Sequence, residues 1–520
     1  MSLVPPKRPE RLAPGAVAAQ LLCIETDRDE RASPLFAEML LTLVQNGYRA
    51  PETIDQLTSP KRPRFAVRSL AVGENFLGGR DRGRAGDAET TPAQYGARLA
   101  AGQEMRGSAN LALAQRTLEG LVDPETTRAQ KGTWLLRPFH ESLLWYDARK
   151  GSPSSPQWGV RKVYMRGKGI TFARMLLDAP DEESRQLGSA AVASIKEALT
   201  GPTPLASISG ALEEALDDGE PYARAPDIEA DEREAWKRGA DSRLAELAGR
   251  LCRHAEGVMA QEGASGPAKL WQLRTVVALN FATHIIRTAW DKTGAPDSDQ
   301  FLLLTFGGGP RATDPIRQRS EEFYRRARIR LSEAIVQTLA EQMEELDQPG
   351  VNWAAEFQAR SPLGADSEDS VASQLRSLPD NPASSAYEEI ARSAVEATNA
   401  NYGRGAGDGF RVLLESIGML VGTGAYRYLT ADPTLLGALV GALSAQMPMS
   451  SRDFFAALRS EWGLVVNQES AAGTALAALV DGTGLERNAR KAEKLMSDAG
   501  LALGLSDRTT MVGERARRTS

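Results

Sequence analysis

Phe301-Leu302-Leu303-Leu304-Thr305-Phe306-Gly307-Gly308-Gly309-Pro310 is the stretch on which the reading of the fold turns. An apolar run rich in aromatic and branched side chains is stopped by three glycines and a proline, as expected where a buried strand enters a loop. Asp314-Pro315 then opens a helix. The Asp carboxylate accepts free N–H groups of the first turn, and Pro takes the first helical position, where its missing donor costs nothing. Ile316, Phe323, Ala327, Leu331, Ile335, Leu339 and Leu346 recur at helical spacing, so one stripe faces a core along a helix of roughly thirty residues. On the other face Arg317, Arg319, Arg325, Arg326, Arg328 and Arg330 outnumber Glu321 and Glu322, and the sign reverses at Glu341, Glu344 and Glu345. Positive charge near a helix N-terminus opposes the helix dipole. The arginines are therefore unexplained by local electrostatics, which points to an external anionic partner. Two readings compete for the strand, glycines and helix: an anion site for a phosphate, or a tight turn beside a solvated charged face. The capping carboxylate of Asp314 would repel a phosphate at the helix start, so the expected contact is between Arg325, Arg326 and Arg328 and a nucleic-acid backbone.

A chain of 520 residues exceeds one hydrophobic core and predicts several domains. Hydrophobic content of 42% and charged content of 25% are those of an ordinary globular protein. The formal charge of −6 argues against indiscriminate coating of nucleic acid and confines any such contact to local basic patches. Cys23 and Cys252 lie far apart in apolar contexts, so neither a disulfide framework nor a zinc site is readable, and both are expected as buried free thiols. No apolar window is long enough for a membrane span, and the N-terminal residues lack the apolar core of a signal peptide, so a cytoplasmic protein is expected.

The chain divides, on composition, into a leader at 1–14, an N-terminal α/β domain with a basic loop at 15–216, a central helical domain carrying the strand, glycines and helix at 232–360, a Ser/Asp/Pro/Gly linker at 361–385, and a C-terminal unit at 386–520. Expected helices include Leu35–Val44, Ser189–Leu199, Ala235–Gln261, Leu270–Trp290 and Tyr387–Asn399. Leu21-Leu22-Cys23-Ile24 reads as a strand or the end of a short helix. The basic loop holds Arg62, Arg64, Arg80, Arg82 and Arg84, and it reads either as a mobile loop or as a loop ordered by nucleic acid. An aromatic block follows, Trp134, Phe139, His140, Trp145, Tyr146, Trp158 and Tyr164, interleaved with Arg161, Lys162, Arg166 and Lys168. It reads as a core or as a base-stacking platform beside phosphate contacts. Gly167-Lys168-Gly169 sits at an expected strand-to-helix turn like part of a phosphate loop. However, Lys162 stands where the first Gly of a Walker A motif belongs and Gly169 replaces its hydroxyl residue, so no ATPase is read from it. His254 and His284 fall on helices without ligands at metal spacing and are expected as core or surface histidines.

The C-terminal unit carries the clearest pattern. Pro433–Gln446 reads as a helix, Ser450-Ser451 caps a second at Arg452–Trp462, and Leu464-Val465-Val466 is a brief strand. A third helix spans about Ala471–Val480, Gly482 and Gly484 make a turn, and Glu486–Asp498 is a fourth helix. Leu501–Leu505, a Ser506-Asp507-Arg508 turn and Thr509–Val512 read as a hairpin. Helix, turn, helix and hairpin is the element order of a winged helix, which resembles many bacterial DNA-binding and subunit-docking domains. The resemblance implies that the last helix meets DNA, with Arg487, Asn488, Arg490, Lys491 and Lys494 on its exposed face and Arg508 at the wing tip.

The three histidines and two isolated cysteines leave no readable catalytic triad, and the acidic residues form no metal-nuclease signature. The expectation is a mainly α, multidomain bacterial protein with small mixed α/β parts and a winged-helix-like end. It would need no metal or cofactor and no catalysis of its own. Its expected role is as a DNA- or RNA-contacting subunit, with other protein subunits, of a multi-component DNA-processing or phage-defence system of the restriction/modification kind. A protein-binding scaffold and a nuclease of unrecognised type are the alternatives.

Overall fold

The computed structural model describes residues 14–24, 31–50, 120–121, 137–144, 148–150, 158–160, 168–201, 242–307, 311–346, 384–402, 408–444, 447–506 and 509–513. Residues 1–13 of the leader, the basic loop, residues 361–383 of the linker and most of the aromatic block lie outside them. Among the described residues the protein is mainly helical with a few small sheets. In chain order the helices and strands are α1 (Pro14–Leu22), α2 (Ala32–Gln45), β1 (Ala148–Lys150), β2 (Trp158–Val160), α3 (Lys168–Leu177), α4 (Glu182–Thr200), α5 (Ser242–Met259), α6 (Gly266–Lys292), β3 (Leu302–Leu303), α7 (Pro315–Leu346), α8 (Ser384–Tyr402), α9 (Asp408–Ser416), β4 (Leu420–Val421), β5 (Tyr428–Leu429), α10 (Pro433–Ser444), β6 (Met449–Ser450), α11 (Ser451–Trp462), β7 (Leu464–Val465), α12 (Gln468–Ala471), α13 (Leu476–Leu479), α14 (Gly482–Asp498), β8 (Ala502–Ser506) and β9 (Thr509–Val512). They group into two compact units, one of Met1–Arg31, Lys237–Glu262 and Thr275–Ser520, the other of Ala32–Trp236 and Gly263–Arg274.

In the smaller unit α2 is buried from Ala32 to Leu43, polar residues included, and packs on α3, which packs on α4. Gly47, with φ +64°, ends α2 in the left-handed conformation that its Asn-Gly sequence predicts. The α2–α3 contact is backbone-close, because a Cβ on Gly169 would lie 2.4 Å from the Met39 amide nitrogen. Asp181 caps α4 by accepting from the Ser184 N–H at 2.8 Å.

The larger unit is organised by the stretch that opened the sequence. β3 pairs in parallel with β7, Leu302 opposite Leu464 and Leu303 opposite Val465, and Leu304 bridges in parallel to Leu429 of β5. Phe301, Leu303, Ile316, Phe323, Val465, Ala471, Leu476 and Leu485 form one buried cluster, so a central strand and the C-terminal helices share a core. Asp314 caps α7 as its sequence predicts, accepting from the Arg317 N–H at 3.1 Å. The strand itself is short, Leu302–Leu303 with a bridge at Leu304, and the Asp314 carboxylate lies where a Cβ on Gly307 would stand, 2.0 Å from Oδ2, so a side chain there would displace the helix cap. α1 and α8 pack along α7, and α5 packs on α10. Leu21-Leu22 proves to be a helix end, followed by Cys23 at φ +55°.

At the C-terminal end β6, β9 and β8 form a three-stranded antiparallel sheet in that order. Ser450 caps α11 and Gly463, at φ +70°, closes it. Two local expectations change here. The helix expected over 471–480 is two short helices, separated where Ala472 is extended and Gly473 takes φ +75°. α14 begins at Gly482 and not at Glu486, because Asp481 caps it and the missing Cβ of Gly482 leaves room for the Gln468 side chain.

Candidate nucleic-acid interface

α14 has two chemically distinct faces. Leu485, Asn488, Ala489, Ala492 and Met496 are buried, while Arg487, Arg490, Lys491 and Lys494 are exposed. Lys494 pairs with Asp498 at 3.0 Å, an exposed contact worth little on its own. Glu486, exposed beside Arg487, and Glu493, which accepts a hydrogen bond from the Ser451 hydroxyl at 2.5 Å, dilute the positive charge. Asn488 does not belong to the exposed face. It is 4% exposed, accepts from the Phe306 N–H at 2.8 Å, and donates to the Leu304 and Val466 carbonyls at 2.9 Å each. Its amide ties α14 to the ends of β3 and β7, which saturates backbone groups that the short strands leave unpaired.

On α7, Arg325, Arg326 and Arg328 are exposed, as the helical period predicts. Glu321 and Glu322 each hold two arginines: Glu321 takes Arg311 at 2.7 Å and Arg317 at 3.5 Å, and Glu322 takes Arg319 at 2.6 Å and Arg326 at 2.5 Å. Partial burial works against ionising Glu322, but Arg319 and Arg326 outweigh it and hold the carboxyl below its ordinary range. Three carboxylates, Asp314, Glu321 and Glu322, against Arg311, Arg317, Arg319, Arg325, Arg326 and Arg328 leave this end of α7 with a surplus of positive charge.

Lys168 is placed differently from a surface ligand. It is 4% exposed at the start of α3, in the smaller unit, and the adjacent Gly169 N–H donates to the buried Glu38 carboxylate at 2.7 Å. The chain's own anion thus occupies the amide that a phosphate would use. Arg62, Arg64, Arg80, Arg82, Arg84, Arg161, Lys162, Arg166 and Arg508 lie outside the described residues.

Two further clusters in the larger unit escaped the sequence. In the first, Tyr426 and Tyr428 carry guanidiniums over their rings, Arg311 at 4.7 Å and Arg317 at 4.2 Å from the centroids. The alternation Tyr426-Arg427-Tyr428 is the sequence signal that could have found it. In the second, His254 is 1% exposed and stacks on Trp462 with centroids 4.4 Å apart. Its Nδ1 faces Asn280 Oδ1 at 3.1 Å, and its Nε2 faces Glu461 Oε2 at 3.2 Å. Arg253 reaches Glu461 at 3.1 Å, and Arg287 donates to the Ser460 carbonyl at 2.6 Å and to Glu246 at 3.0 Å. Burial presses Arg250, paired with Glu246, down to about 10.

Among the described residues no group of His, Cys, Asp and Glu is placed to hold a metal ion. Cys23 and Cys252 are buried and not disulfide-bonded, and His284 Nε2 lies 2.8 Å from the Leu22 carbonyl. No helix among the described residues is long and apolar enough to cross a membrane. No family model, curated protein or solved structure matches the chain.

Proposed function

We propose that the chain is a nucleic-acid-contacting subunit of a bacterial, cytoplasmic, multi-component DNA-processing or phage-defence system, and that it acts without catalysis of its own. In this reading residues 433–512 form a winged-helix-like unit, with α10, β6, α11, α14 and the β8–β9 hairpin in that order and β7, α12 and α13 as an insertion. α14 is then the helix that meets the duplex, and its exposed side chains are the contact surface. The observation that supports this is the exposed set Arg487, Arg490, Lys491 and Lys494, on a helix whose opposite face is locked by Asn488. Phosphates attract such a face without reading sequence.

The test uses the full chain and a fluorescently labelled duplex. Changing Arg487, Arg490 and Lys494 together to Ala should weaken binding and flatten the dependence of affinity on salt, because fewer counterions are released. Thermal stability should hardly move, since exposed charges contribute little to folding. Unchanged affinity for single- and double-stranded DNA would remove the α14 face from the proposal. A second reading, docking of a protein subunit, has its own support: Leu505 is 61% exposed on β8, an edge strand of the three-stranded sheet. On that reading the triple change spares DNA binding and releases a protein partner.

A further inference from the structure

We infer that the β4–β5 hairpin and the start of α7 form a stacking platform for an unpaired nucleic-acid strand, a specificity that rests on the nucleic-acid reading above and adds to it. Tyr426 is 54% exposed, and among the described residues it is the aromatic one of the exposed large apolar side chains. Arg311 lies over its ring, and Arg317 lies over the ring of Tyr428. One buried carboxylate, Glu321, 5% exposed, accepts a hydrogen bond from the Arg311 edge at 2.7 Å and lies 3.5 Å from that of Arg317. Held at its edge and stacked on one side, a guanidinium keeps a planar surface for a second π-system.

The hairpin is preorganised. Gly422, at φ +95°, lies where a Cβ would meet the Tyr426 carbonyl oxygen at 2.4 Å, so the turn closes tightly against the tyrosine that it presents. At the other end, the Ser320 hydroxyl donates to the Leu303 carbonyl at 2.7 Å and accepts from the Leu429 N–H at 2.9 Å, which ties β5 to β3 and α7. A stacking side chain held in place loses little entropy when its partner arrives.

Guanidinium groups and carboxylates alternate around the platform. Arg311, Arg317, Arg411 and Arg427 face Glu321 and Glu415, with Arg411 at 2.8 Å and Arg427 at 3.1 Å from Glu415. Asp314 and Asp432 add two capping carboxylates, so the cluster is close to charge-balanced and what it offers a ligand is its planar guanidinium faces. The chemistry around Tyr426 favours a nucleobase over a protein side chain. Residues 422–425 at the hairpin tip are Gly-Thr-Gly-Ala and exposed, so among the described residues no desolvated apolar pocket stands ready there for a protein anchor. A base needs only a flat face and a nearby cation. In a duplex the base faces are buried in the stack, so the partner that fits is a strand with unpaired bases.

The test measures binding of the full-length protein to labelled oligothymidylate and to a labelled mixed-sequence duplex by fluorescence anisotropy. Tyr426→Ala should weaken oligothymidylate binding about tenfold, the scale of one lost stacking contact, and leave the duplex unaffected. Tyr426→Phe should retain wild-type binding, because the ring and not the hydroxyl does the stacking. Equal losses on both ligands, or no loss on either, would overturn the platform. If the duplex still responds to the α14 triple change in that case, the general nucleic-acid reading survives its loss. A wild-type protein that binds neither ligand overturns both.

Discussion

His254 Nε2 lies 3.2 Å from Glu461 Oε2 across the junction of α5 and α11, with the imidazole sealed against Trp462 and the carboxylate held from outside by Arg253. The two oxygens flanking the ring, from Asn280 and Glu461, favour the protonated form. Burial disfavours it and is the larger effect, so the ring is held below its ordinary 6.5. Glu461 is pulled from its ordinary 4.5 down to about 2, first by the hydrogen bond from His254 and against the opposing effect of burial.

Acid should therefore destabilise the protein in two stages. A group with a depressed folded pKa contributes stability that is present above its unfolded pKa and lost as pH falls through its folded one. His254 places one loss below 6.5, and Glu461 another between 4.5 and about 2. Glu461→Gln should cost about 1–3 kcal/mol at neutral pH and flatten the lower stage. Denaturant melts across that range check this, and an identical pH slope in the variant would refute the pairing.

Asn488 and Arg487 are neighbours on α14 with opposite fates. Asn488→Ala would leave the Phe306 N–H and the Leu304 and Val466 carbonyls without their partner, at a cost of about 3 kcal/mol or more. Arg487→Ala should stay within about 0.5 kcal/mol of wild type. Urea midpoints of the two variants measure the contrast, and equal midpoints would mean that the clamp is not where it is described.

Gly257 tests the packing of α5 on α10. Helix-interior Gly→Ala normally stabilises by about 1 kcal/mol. Here the added Cβ would lie 2.6 Å from the Ala442 carbonyl oxygen, a backbone atom that cannot step aside, so Gly257→Ala should destabilise by about 1–3 kcal/mol. Gly484→Ala is the control, because its Cβ would meet Ile316 at an ordinary 3.5 Å. A thermal midpoint for Gly257→Ala at or above that of wild type would show that the helices are not so close.

What the sequence determined by itself was local. The apolar period of α7, its Asp314 cap, the Ser450 cap of α11 and the left-handed Gly47 all depend on residues within a few positions of one another, and all stand where the residues predict, whereas the apolar run before Gly307 forms a strand only over Leu302–Leu303. The mainly helical class follows from the same periodicity. Helix ends moved by a few residues where the deciding atom came from elsewhere, as at Gly482, whose missing Cβ accommodates Gln468. Tertiary structure alone decided which polar residues face inward. Asn488 has the composition of an exposed helix position, yet its partners are 182 and 184 residues away in the chain. Lys168 reads as a phosphate ligand until Glu38, 131 residues before Gly169, takes the neighbouring amide. Arg253 and Glu461, 208 residues apart, form a pair around a histidine that the sequence leaves as an ordinary helical residue. Periodicity shows which side of a helix is apolar, but a buried hydrogen bond needs a partner brought in by the fold, and that partner leaves no mark in the local pattern.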